Sequence, residues 1–274
     1  MTPFWLRFAT ALALLLALVT VRASNAADPI RIGYLGPLTG IFAQAGKDML
    51  DGLKLSLEGV NFEVAGRKIE LTAEDSEGNP ATALAKYRKL TTHDKIHVLD
   101  GVLLSHIGYG LVQPIERDQL PTLFLTTPDD LTKRKLAKWI LRSNFAASQI
   151  MHPLGDYAAK TLKYKRVAVI AMDNPFGHEQ IGGFQRVFED AGGRVIKRLW
   201  VPLNALDFAP YLSQVSKDAD AVCGTPDECL AQVRAAQAAG VRRLMFTVSL
   251  ATDPVRTVRL FGENGLPALR SPLP

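Results

Sequence analysis

Apolar residues along this chain fall at two spacings that take turns. Residues 31–35 form a short apolar run, and residues 68–73 alternate apolar with polar; both patterns fit strands. Between them, Met49, Leu53, Leu57 and Val60 recur at a helical period and predict a helix over 48–60. Asn79 followed by Pro80 supplies an N-cap and a proline at the first helical position, opening a helix over 81–90. A strand at 97–99, a helix at 106–117 and a strand at 122–125 complete the first series. Ile107, Leu111 and Ile115 share one face of that helix, and Pro114 is expected to kink it.

The series then repeats. Helices are predicted at 151–162, 178–191, 208–217 and 227–239, with strands at 167–171, 194–201, 219–223 and 244–248. Gly192 and Gly193 can end the second of these helices with a left-handed residue. Strands alternating with helices imply parallel sheets covered on both faces. The fold class is therefore α/β, with two doubly wound parallel-sheet lobes. The irregular stretch 126–149, with an extended piece at 139–142, is the expected crossover. Residues 251–274 hold Pro254, Pro267, Pro272 and Pro274, a density that breaks helices and central strands. The expected division is 1–26 as an export signal, 27–147 as the N-terminal lobe, 148–250 as an incomplete second lobe and 251–274 as an irregular tail.

The first residues change the setting. Arg7 precedes a run over 9–19 that is nearly all Ala, Leu and Val. That is long enough for a signal sequence and short of the ~20 residues a membrane-spanning helix needs. Small residues Ser24 and Ala26 place the expected cut after Ala26, and no cysteine in residues 1–30 offers a lipid anchor. The expected location is the periplasm. The chain is formally +5, and Arg7 and Arg22 are the only charges in the signal, so the remainder carries +3. The runs at 133–135 and 163–166 read as solvated surface rather than a basic stripe, so no nucleic-acid partner is expected. Export would permit Cys223 and Cys229 to form a disulfide; the plainer reading is two buried thiols.

Catalytic chemistry finds little support. Gly40 to Gly46-Lys47 lacks the hydroxyl residue of a phosphate loop, because Asp48 stands there. Gly33, Gly36 and Gly40 do not make a dinucleotide fingerprint. His93 and His97 read as surface residues rather than metal ligands. Glu74 and Asp75 are adjacent on a strand and point to opposite faces, so they suit solvent or the next turn better than acid–base work. No catalytic residue, metal set or cofactor is expected, and the chain is read as a non-enzyme.

Several motifs occur in a telling order: IRIGYLGPLTG at 30–40 with Ala43-Gln44, VAGRKIEL at 64–71, EDSEGNP at 74–80, DDLT at 129–132, HPLGD at 152–156 and FGHEQIGGF at 176–184. Together they resemble the periplasmic solute-binding proteins of branched-chain amino acid ABC importers, over about residues 28–250. The resemblance implies the type I periplasmic binding fold: two lobes joined by a hinge, closing on a small ligand. It implies an inner-membrane ABC permease as partner. Such proteins usually run longer, so this chain is expected to be a C-terminally truncated copy.

In open parallel sheets, ligands sit outside the carboxyl ends of strands. The strand at 98–99 runs into GVLLS at 101–105, and a helix is expected to begin at about His106, just after Ser105. A helix start carries a partial positive charge and binds carboxylates. Spacing alone also fits an N-cap serine; in the resembling family this position holds the ligand carboxylate. Thr126 and Thr127 match positions that supply a hydroxyl and backbone groups, and equally fit a turn before Pro128. Phe176, in the DNPFG stretch at 173–177, matches an aromatic that covers the ligand from the second lobe, and also fits a core aromatic. Leu104, His106 and Leu125 flank these positions, and Ala45 stands where some relatives carry a tyrosine. The second-lobe carboxylate that holds a ligand ammonium has only Thr247 and Ser249 in the matching region, and Thr225 is the nearest stand-in for a further tyrosine. A buried ammonium without a counter-charge is costly, which favours an aromatic carboxylate over an aliphatic amino acid. Leu103 and Leu104 would then serve as apolar walls. The expected function is a receptor for a small carboxylate-bearing ligand; a ligand-sensing receptor domain and a non-functional remnant are the alternatives.

Overall fold

The computed structural model describes residues 27–131, 137–203, 205, 207, 209–224 and 244–246. The first series gives β1 (Ile30–Gly36), α1 (Ala43–Glu58), β2 (Glu63–Val64), β3 (Arg67–Asp75), α2 (Pro80–Thr92), β4 (Val98–Gly101), α3 (Ser105–Asp118), β5 (Thr122–Phe124) and β6 (Ile140–Arg142). Their sheet runs β2-β3-β1-β4-β5-β6 and is parallel except for the β2–β3 hairpin. The second series gives α4 (His152–Asp156), β7 (Arg166–Met172), α5 (Pro175–Asp190), β8 (Arg194–Val201), α6 (Ala209–Leu212), β9 (Ala221–Gly224) and β10 (Leu244–Phe246). Their parallel sheet runs β10-β9-β7-β8.

Side-chain alternation assigns the sheet faces. In the first lobe Leu35, Leu99 and Phe124 pack with Tyr87 and Leu90 of α2 and with Ile107, Leu111 and Ile115 of α3. The neighbouring Tyr34 points the other way, and its hydroxyl donates to Gly46 O of α1 at 2.6 Å. Farther along that row of the register, Asp100 pairs with Leu123 and Leu123 with Leu141. Leu141 is 71% exposed there, so α1 covers only part of this face. In the second lobe Val167, Val169 and Ala171 pack against Ile181, Phe184 and Phe188 of α5. Ala168 and Ile170 face a separate cluster with Leu199, Val201 and Leu212. The second lobe therefore buries β7 from two sides, as a continuous apolar strand demands, whereas the first sheet is fully packed on one face and partly covered on the other.

Several boundaries differ from the sequence expectation. The 139–142 piece is not crossover: its Ile140–Arg142 core is an edge strand of the first sheet. Helix α5 starts at Pro175 rather than 178, because Asn174 caps it and accepts from Gly177 N at 2.8 Å. The helix expected over 151–162 is a 3-10 turn (Gln149–Met151), α4 and a π turn (Tyr157–Thr161). Gly155 lies so close to α5 that a Cβ would stand 2.7 Å from Phe184 O. Within the described part of the 208–217 helix, only Ala209–Leu212 forms; Gln214 N and Val215 N then bond three residues back, not four. Helix α3 runs through Pro114. Gly192 ends α5 at φ +86°, as its position suggested. Residues 1–26, the helix expected at 227–239 and the tail 251–274 lie outside the described residues. Cys229 does too; Cys223 is a buried free thiol, and burial raises its pKa.

Candidate functional site

The carboxyl end of β4 leaves the sheet through an unusual backbone. Gly101 has φ +110°, and a Cβ there would stand 2.7 Å from Leu35 O. Val102 follows at φ +58°, which costs a β-branched residue about 1–3 kcal/mol. The strain is held from both sides: Val102 N donates to Leu35 O at 2.7 Å, and Leu125 N donates to Gly101 O at 2.9 Å. The chain is thereby turned so that α3 begins at Ser105.

Leu104, not Ser105, is the N-cap of α3, and no side chain caps the helix start. Ser105 occupies the first helical position, which removes the N-cap alternative for it. Its hydroxyl is buried and meets Thr126 Oγ1 and Thr127 Oγ1, each at 3.4 Å. Good hydroxyl–hydroxyl bonds are about 2.7–2.8 Å, so these three buried hydroxyls are only loosely engaged with one another. The structure thus gathers Ser105, Thr126 and Thr127 from two strand ends. Leu104 packs in the first-lobe core, with Leu103 partly buried against it. Leu125 is half-buried beside them. His106 Nε2 lies 3.2 Å from Gly78 O, while its Nδ1 is buried with no hydrogen-bond partner. Ala45 is in the first turn of α1 and Phe176 in the first turn of α5; Phe176 is buried.

The loop after β1 is clamped by Asp75. Its Oδ1 accepts from Leu38 N and Glu77 N, both at 2.8 Å, and its Oδ2 accepts from Thr39 Oγ1 at 2.6 Å. Burial would raise the Asp75 pKa; these hydrogen bonds outweigh it and hold the carboxyl below its ordinary range. Its neighbour Glu74 does not meet solvent. It is buried and paired with Lys86 at 2.7 Å and with Lys89. Those ammonium groups overcome desolvation and depress its pKa. Both carboxylates are thus engaged in holding structure. Among the described residues no group of His, Cys, Asp and Glu is arranged to hold a metal. His93 pairs with Asp94, and His97 Nδ1 accepts from Arg31 N.

One set of residues was not singled out from the sequence. Tyr109, one turn beyond Ser105 on α3, donates its hydroxyl to Glu179 Oε1 on α5. The same oxygen accepts from Asp129 N at 3.2 Å, and Tyr109 Oη accepts from Asp130 N at 3.3 Å. Asp129 Oδ1 accepts from Ser148 N at 3.1 Å, and Arg142 Nη1 donates to Pro128 O at 2.5 Å. Burial raises the Glu179 pKa; the Tyr109 and Asp129 hydrogen bonds oppose that, and the nearby Asp129 and Asp130 charges add to it. Only the four-residue spacing of Ser105 and Tyr109 is visible in the sequence. Thr225, Thr247 and Ser249 lie outside the described residues.

A sequence model described as periplasmic binding protein matches residues 29–266. The Leu/Ile/Val-binding protein homolog 6 of Brucella abortus is 24% identical over 208 residues, which cover 75% of this chain and 53% of that protein. An ABC transporter substrate-binding protein from Sphaerobacter thermophilus superposes with a TM-score of 0.70 at 31% identity, covering 81% of this chain and 63% of that one. An ABC transporter solute-binding protein from R. palustris in complex with benzoate gives a TM-score of 0.70 at 26% identity, covering 79% and 61%. The chain spans about half the length of the curated relatives it matches. The family is one of binding proteins rather than enzymes, and the two parallel-sheet lobes are those of the type I periplasmic binding fold. The ordered motifs, the two sheets and the family match agree: this chain belongs to the periplasmic binding protein family.

Proposed function

We propose that this chain is an extracytoplasmic solute-binding receptor of an ABC importer, holding a small carboxylate between lobes 27–147 and 148–250. The observation that carries the reading is the uncapped start of α3, where Ser105, Thr126 and Thr127 present three buried hydroxyls at strand ends. A ligand carboxylate there accepts from hydroxyls and from first-turn N–H groups without a formal cation. Leu104, His106 and Leu125 border that position, Ala45 forms an open wall, and Phe176 covers the ligand from the second lobe. The ligand class is an aromatic carboxylate or a branched-chain amino acid. The benzoate held by the R. palustris neighbour supports the first, and the name of the Brucella relative supports the second. The partner is an inner-membrane permease, and the location is the periplasm, reached by cleavage after Ala26.

Calorimetric titration with benzoate, 4-hydroxybenzoate and L-leucine tests the reading. At least one should bind, and Ser105→Ala should weaken that ligand by about 0.5–1.5 kcal/mol, or about 3 kcal/mol if the hydrogen bond is charge-assisted. Unchanged affinity in Ser105→Ala removes the α3 start from the site.

A further inference from the structure

We propose that Tyr109 and Glu179 form a latch between the two lobes, made when they come together and broken when they part. The contact joins α3 of the first lobe to α5 of the second, and these helices pack directly on each other. Both residues lie in the parts of their helices nearest the proposed ligand. Tyr109 is one turn after Ser105, about 6 Å along the axis. Glu179 is three residues after Phe176. A ligand that draws the start of α5 toward the start of α3 therefore brings the carboxylate to the phenol in the same movement. That coupling rests on the proposed function; the latch itself does not.

The surroundings explain why the contact is switchable. Segment 127–130 lies beside it and is tied to the crossover, where Ala147 N donates to Thr127 O at 2.9 Å and Ser148 N to Asp129 Oδ1. That segment presents the Asp129 and Asp130 N–H groups to Glu179 and to Tyr109. The Glu179 carboxylate thus closes onto a donor set fixed at the crossover. Its second oxygen, Oε2, is buried with no hydrogen-bond partner. A carboxylate oxygen that gives up water without a protein donor is a standing cost. When the lobes part, both oxygens regain water. The hydrogen bonds to Oε1 favour contact and the orphaned oxygen opposes it. A balance of this kind suits a receptor that must release its cargo.

The test is small-angle scattering of the full chain without ligand, joined to hydrogen exchange at the amides of residues 129 and 130. Tyr109→Phe removes one hydroxyl and should shift the ratio of closed to open forms by about 10- to 100-fold, the range for a hydrogen bond to a charged group. The radius of gyration should rise, and amide protection at 129–130 should fall. Glu179→Ala should do the same; if it does not melt cooperatively, Glu179→Gln, which keeps the volume and one acceptor, is read in its place and should lose part of the protection. Wild-type scattering and exchange in Tyr109→Phe would overturn the latch. Because no ligand is present, a protein that binds none of the three carboxylates still passes or fails this test.

Discussion

Removing the Asp75 carboxylate tests whether one side chain organises the loop after β1. Asp75 accepts three hydrogen bonds, from Leu38 N, Thr39 Oγ1 and Glu77 N. The Leu38 bond is partly buried, while the other two are exposed. A shielded bond to a charged group contributes about 1.5–3 kcal/mol, and exposed bonds, for which water substitutes, contribute less. Asp75→Ala should therefore destabilise the protein by about 2–4 kcal/mol, and Asp75→Asn, which keeps one acceptor, by about 1–2 kcal/mol. The pH dependence has a definite sign. The folded-state pKa lies below the unfolded one, so the contribution is present above the ordinary aspartate pKa and is lost as pH falls through the depressed value. Urea unfolding followed by circular dichroism at neutral and acid pH measures both. An Asp75→Ala variant within about 0.5 kcal/mol of the parent at pH 7 would refute the clamp, since that is the scatter of surface substitutions. A gap between parent and variant that did not narrow in acid would refute the assignment to a carboxylate.

Two substitutions probe how the second lobe is built. Gly183→Ala would set a Cβ 2.1 Å from Ser148 O, so α5 must move off the crossover; a loss of about 1–3 kcal/mol is expected in thermal unfolding, and an unchanged melting temperature would show that the approach is not tight. Asn174→Ala removes the α5 cap and should cost about 1 kcal/mol by urea titration, with no loss counting against the early helix start.

Local patterns carried much of the fold because they answer to nearest neighbours. Asn79-Pro80 read as a helix start, and the side chain of Asn79 does accept from Ala81 N and Thr82 N. The strand at 194–201 needed no adjustment, since its residues alone satisfy the strand pattern. Asn174-Pro175 carries the same signal as Asn79-Pro80, and the helix does start there, three residues before the expected position. The 151–162 helix failed. Its apolar period is genuine, but the segment also packs against α5, where a Cβ on Gly155 would stand 2.7 Å from the carbonyl oxygen of Phe184, far along the chain.

The candidate site divides in the same way. Residue type and short spacing alone specify the alternating elements, the helix start after β4, the two threonines after β5 and the ordered motifs. Tertiary structure decided that Ser105 sits inside the helix rather than capping it, and that its hydroxyl meets both threonines. It also decided that Glu74 is buried between two lysines and that Glu179 reaches Tyr109 across the lobes. Those facts depend on which strands are neighbours and how two helices cross. Charges and hydroxyls seventy residues apart leave no periodic trace, so only the folded backbone brings them together.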